Sequence, residues 1–487
     1  MSENIQNLEP KAIWANFVHL NQIPRPSKKE TRVVEFVKLF GERLGLETEV
    51  DTLGNVLIRK PASPGMEGRK MVILQSHLDM VHQKNNDTVF DFNTEGIKMK
   101  IDGDWVHAEG TTLGADNGIG VATILAILES KDIAHPALEA LFTIDEETGM
   151  TGALGLKPGT LKGRLMLNLD TEDDTELTIG CAGGIDVTAS NVYSRIALPG
   201  AHSSYQITVK GLAGGHSGME IHLGRANANK LMNRFLYKIV EDYGVLVHSI
   251  DGGGLRNAIP RESVSVVCIP TDKKEAFEKI AHEYNEIFQK EFQTTDPKIG
   301  LEIKSIDNPM DVASVNFTKK FIRSVYACPN GIYRMSPDID RLVQSSNNLA
   351  RVLLKDGNWS AMCLTRSSVE TEKMDLASMI KAGFELCDGK TVFGGAYPGW
   401  TPNPHSAIVN LMSTIYNKMY NGNPHVNACH AGLECGILGG PYPDMEMISF
   451  GPNIRGAHSP DEKVQISSVQ KFWNYLLETL KNIPENN

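Results

Sequence analysis

The chain has 487 residues, 41% of them apolar and 22% charged. That balance excludes a disordered chain and, at about 150 residues per domain, predicts two or three folded units. Its formal net charge of −11, with no local cluster of Lys and Arg, repels phosphate backbones and anionic lipid, which excludes nucleic acid and membrane surfaces as partners.

The first ten residues, MSENIQNLEP, lack the basic start and apolar core of a secretory signal. From about Lys70 to Asp170, apolar strand-like runs alternate with amphipathic helical ones, which predicts an α/β fold: a mixed, mostly parallel sheet covered by helices. MVILQ (71–75) leads into His77 and Asp79, ALFTI (140–144) into Asp145, Glu146 and Glu147, and RLMLNL (164–169) into Asp170. Between them GADNGIGVATILAILES predicts a helix with Asp116 and Asn117 at its entrance. Its apolar stretch, Gly120 to Leu128, is the longest in the chain and falls far short of the ~20 residues that cross a bilayer. Open α/β sheets bind ligands beyond the carboxyl ends of their strands, so His77, Asp79, Asp116, Glu146, Glu147 and Asp170 are predicted to converge there.

After GCAGG (180–184) the texture changes. YQITVKG, GGHSG, a helical ANANKLMNRFLYKIV and the strand SVSVVCI predict an α+β domain over 184–396, inserted into the first. Strand and helix patterns recur from about 300 to 393, in SAMCLTRSSVE and DLASMIKAGFELC, and predict two related halves. From AYPGW (396–400) onward, a helical HSAIVNLMSTIYNKMY, a strand-like MEMISFG and a terminal helix return the chain to the first domain, which then comprises 1–183 and 397–487. The seven cysteines, odd in number and without a close pair, do not form a disulfide framework and predict a reducing, cytoplasmic setting. GADNGIG is not a phosphate loop, because no Lys-Ser/Thr follows.

A single histidine after a strand is ordinarily a polar surface residue, and acidic pairs such as Glu146 and Glu147 are ordinarily solvated. Their placement at successive strand ends is what suggests chemistry. Amide hydrolysis at neutral pH requires a nucleophile stronger than water and an electrophile for the carbonyl oxygen, and a pair of divalent ions about 3.5–4 Å apart supplies both. Such a pair uses a bridging carboxylate with His and carboxylate ligands on either side, and the strand ends offer that set.

The landmarks SHLDMV, ADNG, DEETG, LDTED and AHSPDE resemble those of the di-zinc exopeptidases, the family that includes carboxypeptidase G, peptidase T, peptidase V and the carnosinases. GTTLGADNGIG, GCAGGID, GGHSG, LRNAIPRE, AYPGW, HAGLECG and HSPDE are, in order, similar to its aminoacyl-histidine dipeptidase branch. The resemblance implies a zinc-exopeptidase-like catalytic domain with a lid domain inserted, and hydrolysis of dipeptides of the Xaa-His, carnosine type. It implies that Asp116 bridges two divalent ions, zinc or else cobalt or manganese, with His77 and Asp170 on one and Glu147 and His458 on the other. Glu146 would be the general base toward the attacking water, and Asp79 would orient His77. His216 in GGHSG would stabilise the oxyanion from the lid, in its own subunit or in a partner's across a homodimer formed through the lid domain. Asn257 in LRNAIPR, Arg366 in CLTRS and Gly432 in HAGLECG match substrate-contacting positions, with Arg366 paired to the substrate's C-terminal carboxylate. His430, Glu434, Ser459 and Asp461 stay outside the main site, as supports of the ligands or as ordinary loop residues.

Competing readings within the same architecture are a broader dipeptidase, a tripeptidase or an N-acyl amino acid amidohydrolase. A metal-stabilised binding protein without catalysis is the reading from another class, and Glu146 argues against it, since a structural site has no use for a base beside its ligands.

Overall fold

The computed structural model describes residues 2–486. The chain forms two units, one built from residues up to Gly180, Trp400–Ala428 and Leu433 onward, the other from Cys181–Gly399 and Cys429–Gly432. The second therefore begins at 181 and ends at 399, where the sequence patterns put 184 and 396. It also takes in Cys429–Gly432, because the Ala182 N–H donates to the carbonyls of Cys429 (3.1 Å) and Ala431 (3.0 Å).

Unit 1 is organised by an eight-stranded sheet in the order Glu47–Val50, Val56–Lys60, Leu138–Thr143, Val72–His77, Leu165–Asn168, Glu446–Ser449, Glu176–Cys181, His425–Cys429. Its central strands pair in parallel. Val72–His77, Leu138–Thr143 and Leu165–Asn168 are buried along their whole length, as parallel strands covered on both faces must be. The helix Ala115–Glu129 is apolar on every side and almost wholly buried. Its Ile119, Ala122 and Ala126 share a core with Trp14, Phe17 and Val18 of the helix Lys11–Asn21. Among the described residues no helix is long and apolar enough to cross a membrane, and no disulfide joins any of the seven cysteines.

Unit 2 is built on a nine-stranded sheet with two helix-strand repeats. In one, His202–Lys210, the helix Ala228–Tyr243, Leu246–Gly253, Ser263–Pro270, the helix Lys274–Glu291 and Gly300–Ile306 follow in a β-α-β-β-α-β order. In the other the same order runs through Gly183–Val192, the helix Val315–Ala327, Val343–Lys355, Asn358–Ser367, the helix Glu370–Glu385 and Lys390–Tyr397. In each, the first strand lies between the third and the fourth, and the second strands, Leu246–Gly253 and Val343–Lys355, join the repeats antiparallel into one sheet.

The helix Ala228–Tyr243 illustrates how local sequence builds this unit. The Asn227 side chain caps its start by accepting from the Asn229 and Lys230 N–H groups, and Gly244 ends it at φ 67°. Leu231, Phe235 and Ile239 fall on one buried face, where the Phe235 ring meets Phe277 at 6.1 Å and Tyr284 at 5.2 Å. Phe235→Ala should lower the stability of this unit by about 3–5 kcal/mol, measured by denaturant unfolding, with the cost set by the cavity left behind.

Candidate active site

The buried parallel strands deliver their polar residues to a common edge. His77 closes the strand Val72–His77, Glu146 and Glu147 follow Leu138–Thr143, and Asp170 follows Leu165–Asn168. Asp116 enters from the start of the helix Ala115–Glu129, where it and Asn117 depart from helical φ/ψ. His77 Nε2 lies 3.1 Å from Asp116 Oδ1 and 3.5 Å from Asp170 Oδ1. His458 Nε2 lies 3.3 Å from Asp116 Oδ2 and 3.0 Å from Glu147 Oε2. The two oxygens of one carboxylate thus face two different imidazoles. In each of two triads, His77–Asp116–Asp170 and Asp116–Glu147–His458, the ligand atoms lie within 4.8 Å of one another. Glu146 forms a further set with His77 and Glu147.

Asp79 lies behind this group. Its Oδ1 is 3.3 Å from His77 Nδ1 and accepts from the Glu146 N–H at 3.0 Å. Its Oδ2 accepts from Ser27 Oγ at 2.8 Å and from the Glu147 N–H at 3.2 Å. One buried carboxylate therefore faces a histidine and holds the peptide units that carry both glutamates.

The electrostatics suit cations. Contacts with Asp116 and then Glu147 push the His458 imidazole up to about 11. Burial opposes protonation of His77, but Asp170, Asp116 and Asp79 outweigh it and carry that imidazole well above its ordinary value. Burial would raise Asp116, yet its hydrogen bonds with His458 and His77 hold it below the usual carboxylate range. The crowded carboxylates thus draw positive charge toward the imidazoles, a charge that a divalent cation would supply instead. Glu147 Oε1 is buried without a hydrogen-bond partner, an acceptor that a cation would satisfy. A nitrogen and oxygen donor set of this kind fits zinc and its neighbours in the first transition series. Burial pushes the Glu146 carboxyl well above its ordinary value; His77 opposes the rise, and Asp170, Glu434 and Glu147 add to it.

Three supports escaped the sequence reading. Glu462, four residues after His458, is 2% exposed. Its carboxylate accepts from the N–H groups of Leu113 (2.7 Å), Gly114 (2.9 Å), Ala115 (2.7 Å) and Asp116 (3.2 Å). Arg25, 1% exposed, donates to the carbonyls of Leu78 and Asp79 (each 3.0 Å) and to that of Gly114 (2.5 Å). Gly114 has φ 71°, and a Cβ there would lie 2.6 Å from Arg25 Nη2, so the glycine of GADNG serves both the turn and this arginine. Asn117 Nδ2 donates to Asp170 Oδ1 at 2.5 Å and orients that carboxylate. Glu462 is the last residue of the HSPDE motif, which also holds Ser459 and Asp461. Those two shape the loop: Ser459 Oγ donates to the Gly456 carbonyl (2.7 Å) and accepts from the Asp461 N–H (3.2 Å). Glu434 is buried in unit 1 and accepts from Gln75 Nε2 (2.7 Å) and Thr143 Oγ1 (2.6 Å), beneath the strand ends.

Within unit 2, His216 Nδ1 accepts from the N–H groups of Gly218 (3.2 Å) and Met219 (3.0 Å). Those two donors leave the ring hydrogen of the neutral form on Nε2, and burial and then Arg366 lower the ring's affinity for a further proton. The Ser217 N–H donates to the Asn257 carbonyl at 2.7 Å, which ties the GGHSG loop to LRNAIPR and leaves the Asn257 side chain exposed. Arg366, 5% exposed, gives Nη1 to Tyr397 Oη at 2.7 Å. His430 Nε2 lies 2.7 Å from Ser346 Oγ, and burial together with Arg366 pushes that imidazole down to about 3. Gly432 closes the short segment that the Ala182 N–H holds in unit 2.

Comparison with known proteins gives this geometry its context. The cytosol non-specific dipeptidase of Escherichia coli (strain K12) is 43% identical over 484 residues, which covers 99% of this chain and 100% of that protein. The crystal structure of aminoacylhistidine dipeptidase from Vibrio alginolyticus superposes with a TM-score of 0.94 at 42% identity, covering 100% of both chains. Aminopeptidase PepT from Bacillus cereus shares the fold, with a TM-score of 0.57 at 14% identity over 98% of this chain and 99% of that one. Residues 73–482 match peptidase family M20/M25/M40, and the chain belongs to that family.

Proposed function

We propose that this protein is a cytoplasmic dipeptidase that holds two divalent ions, zinc foremost, and cleaves unblocked dipeptides, Xaa-His among them. The observation that carries the reading is Asp116, with one oxygen toward His77 and the other toward His458. His77 and Asp170 would hold one ion, Glu147 and His458 the other, and Asp116 both. When bound, the ions polarise the scissile carbonyl and ease the deprotonation of water.

The chain's own residues would do the rest. Glu146, whose carboxyl is raised by burial, takes the proton of the attacking water and delivers it to the leaving amine nitrogen. Asp79 fixes the ring of His77. His216 donates Nε2–H to the oxyanion, and Arg366 receives the C-terminal carboxylate, with Asn257 and Gly432 beside the substrate. The relatives' names favour dipeptides and differ in breadth, one non-specific and the other directed to aminoacyl-histidine. A panel of carnosine, Ala-His, Ala-Ala, a tripeptide and an acetyl amino acid tests the substrate. Both dipeptides with a free α-amino group should turn over, and cleavage confined to the acetyl amino acid or the tripeptide would reject the reading.

Removing metal with a chelator should abolish hydrolysis, and zinc, cobalt or manganese should restore it. His77→Ala, Asp116→Ala and His458→Ala should each lower the metal content measured by elemental analysis. Glu462→Ala touches no ion, yet it frees the Asp116 backbone and should weaken metal binding by about 10–100-fold.

Glu146→Gln keeps size and polarity but accepts no proton. Its metal content should stay at the wild-type level while kcat falls by about 10²–10⁴. Glu147→Ala should lose metal, and the opposite pair of outcomes would exchange the roles of the two glutamates.

A further inference from the structure

Arg366 lies on the strand Asn358–Ser367 and is 5% exposed. A guanidinium so deeply buried carries five N–H donors that need acceptors. Nη1 has one in Tyr397 Oη, at 2.7 Å, whereas Nε is buried with none. Nη1 is on the Cδ side of the group, so the tyrosine engages the inner edge. The outer edge, Nε–H beside Nη2–H, is the pair of parallel donors that spans a carboxylate bidentately.

Tyr397 is itself held in place. It ends the strand Lys390–Tyr397 and is paired there with Gly184. A Cβ on Gly184 would fall 2.6 Å from ring atoms Cε1 and Cζ and from Oη, so a side chain at 184 would displace the ring. Buried Lys373 donates Nζ to the Tyr397 carbonyl at 2.7 Å and pairs with Glu370 at 2.8 Å. GCAGGID and AYPGW, far apart in sequence, thus meet to seat one phenol against one arginine.

Gly218 lets the backbone approach Arg366 closely. A Cβ on Gly218 would lie 2.4 Å from the His430 carbonyl oxygen, 3.0 Å from His216 Cε1 and 3.1 Å from Arg366 Nε, so only glycine fits here. The arginine and the histidine therefore flank the same point within unit 2 of one chain.

We propose that Tyr397 is a positioning residue that sets specificity for substrates ending in a free carboxylate, by holding the Arg366 guanidinium through Nη1 in the orientation that receives that group. This rests on the assignment of Arg366 to the substrate carboxylate. Tyr397→Phe keeps the ring against Gly184 and removes one oxygen, so the fold should survive, checked by an unchanged Tm. Its KM for Ala-His should rise about tenfold while kcat stays within about twofold, the signature of lost ground-state and transition-state binding alike. Ala-His amide should be cleaved equally by wild type and Tyr397→Phe, and adding Tyr397→Phe to Arg366→Ala should cost nothing further. A wild-type KM in Tyr397→Phe, an equal defect on the amide, or additive losses in the double variant overturns the role of Tyr397 while leaving that of Arg366 intact. A wild-type KM in Arg366→Ala overturns the assignment of the arginine, and the proposal with it.

Discussion

Asp116 presents one oxygen to His77 and the other to His458, and a side chain can keep that double orientation only when its backbone is fixed from behind. Glu462 does the fixing, with four consecutive N–H groups, from Leu113 to Asp116, converging on its carboxylate. A second buried carboxylate so close to the first is costly, and Arg25 offsets the cost with a charge that lies near Glu462, Asp79 and Asp116. The same guanidinium hydrogen-bonds the peptides after His77 and the Gly114 carbonyl. Three remote stretches, around Arg25, GADNG and HSPDE, thereby become one rigid support, and preorganisation of this kind makes a site selective for its ions.

The two units divide the electrostatic work. Unit 1 concentrates carboxylates at the ends of buried parallel strands, where only cations or protons can balance them. Unit 2 gathers the opposite chemistry: the Arg366 guanidinium, a His216 ring whose hydrogen sits on Nε2, and His430 held neutral by burial and by the arginine. Donors of this kind suit the anionic parts of a reacting peptide, its carboxylate and the developing oxyanion. The family match and these complementary sets support the same proposed chemistry from independent directions.

The topology of unit 2 explains how those donors come together. Two β-α-β-β-α-β repeats share one sheet, with the first inserted after the opening strand of the second. Gly183–Val192, Asn358–Ser367 and Lys390–Tyr397 are thus neighbours although the first repeat lies between the first of them and the others in sequence. Register then sets Gly184 opposite both Arg366 and Tyr397.

Much was readable from the sequence because its determinants are local. The alternation of apolar runs marks the strands Val72–His77, Leu138–Thr143 and Leu165–Asn168, and strand ends are where an α/β sheet exposes polar groups, so His77, Glu146, Glu147 and Asp170 could be singled out by position. Resemblance of motifs in order added His458, His216 and Arg366. The supports were not readable, because what Glu462 and Arg25 bind is backbone, which any sequence supplies, and Glu462 stands 349 residues from Leu113. No periodicity encodes a partner at that distance. The sequence by itself determined the fold class, the family and the chemical types at the strand ends. Only tertiary structure decided which oxygen of Asp116 meets which histidine and which edge of Arg366 Tyr397 engages, since both follow from packing and register between segments whose local patterns are silent about each other.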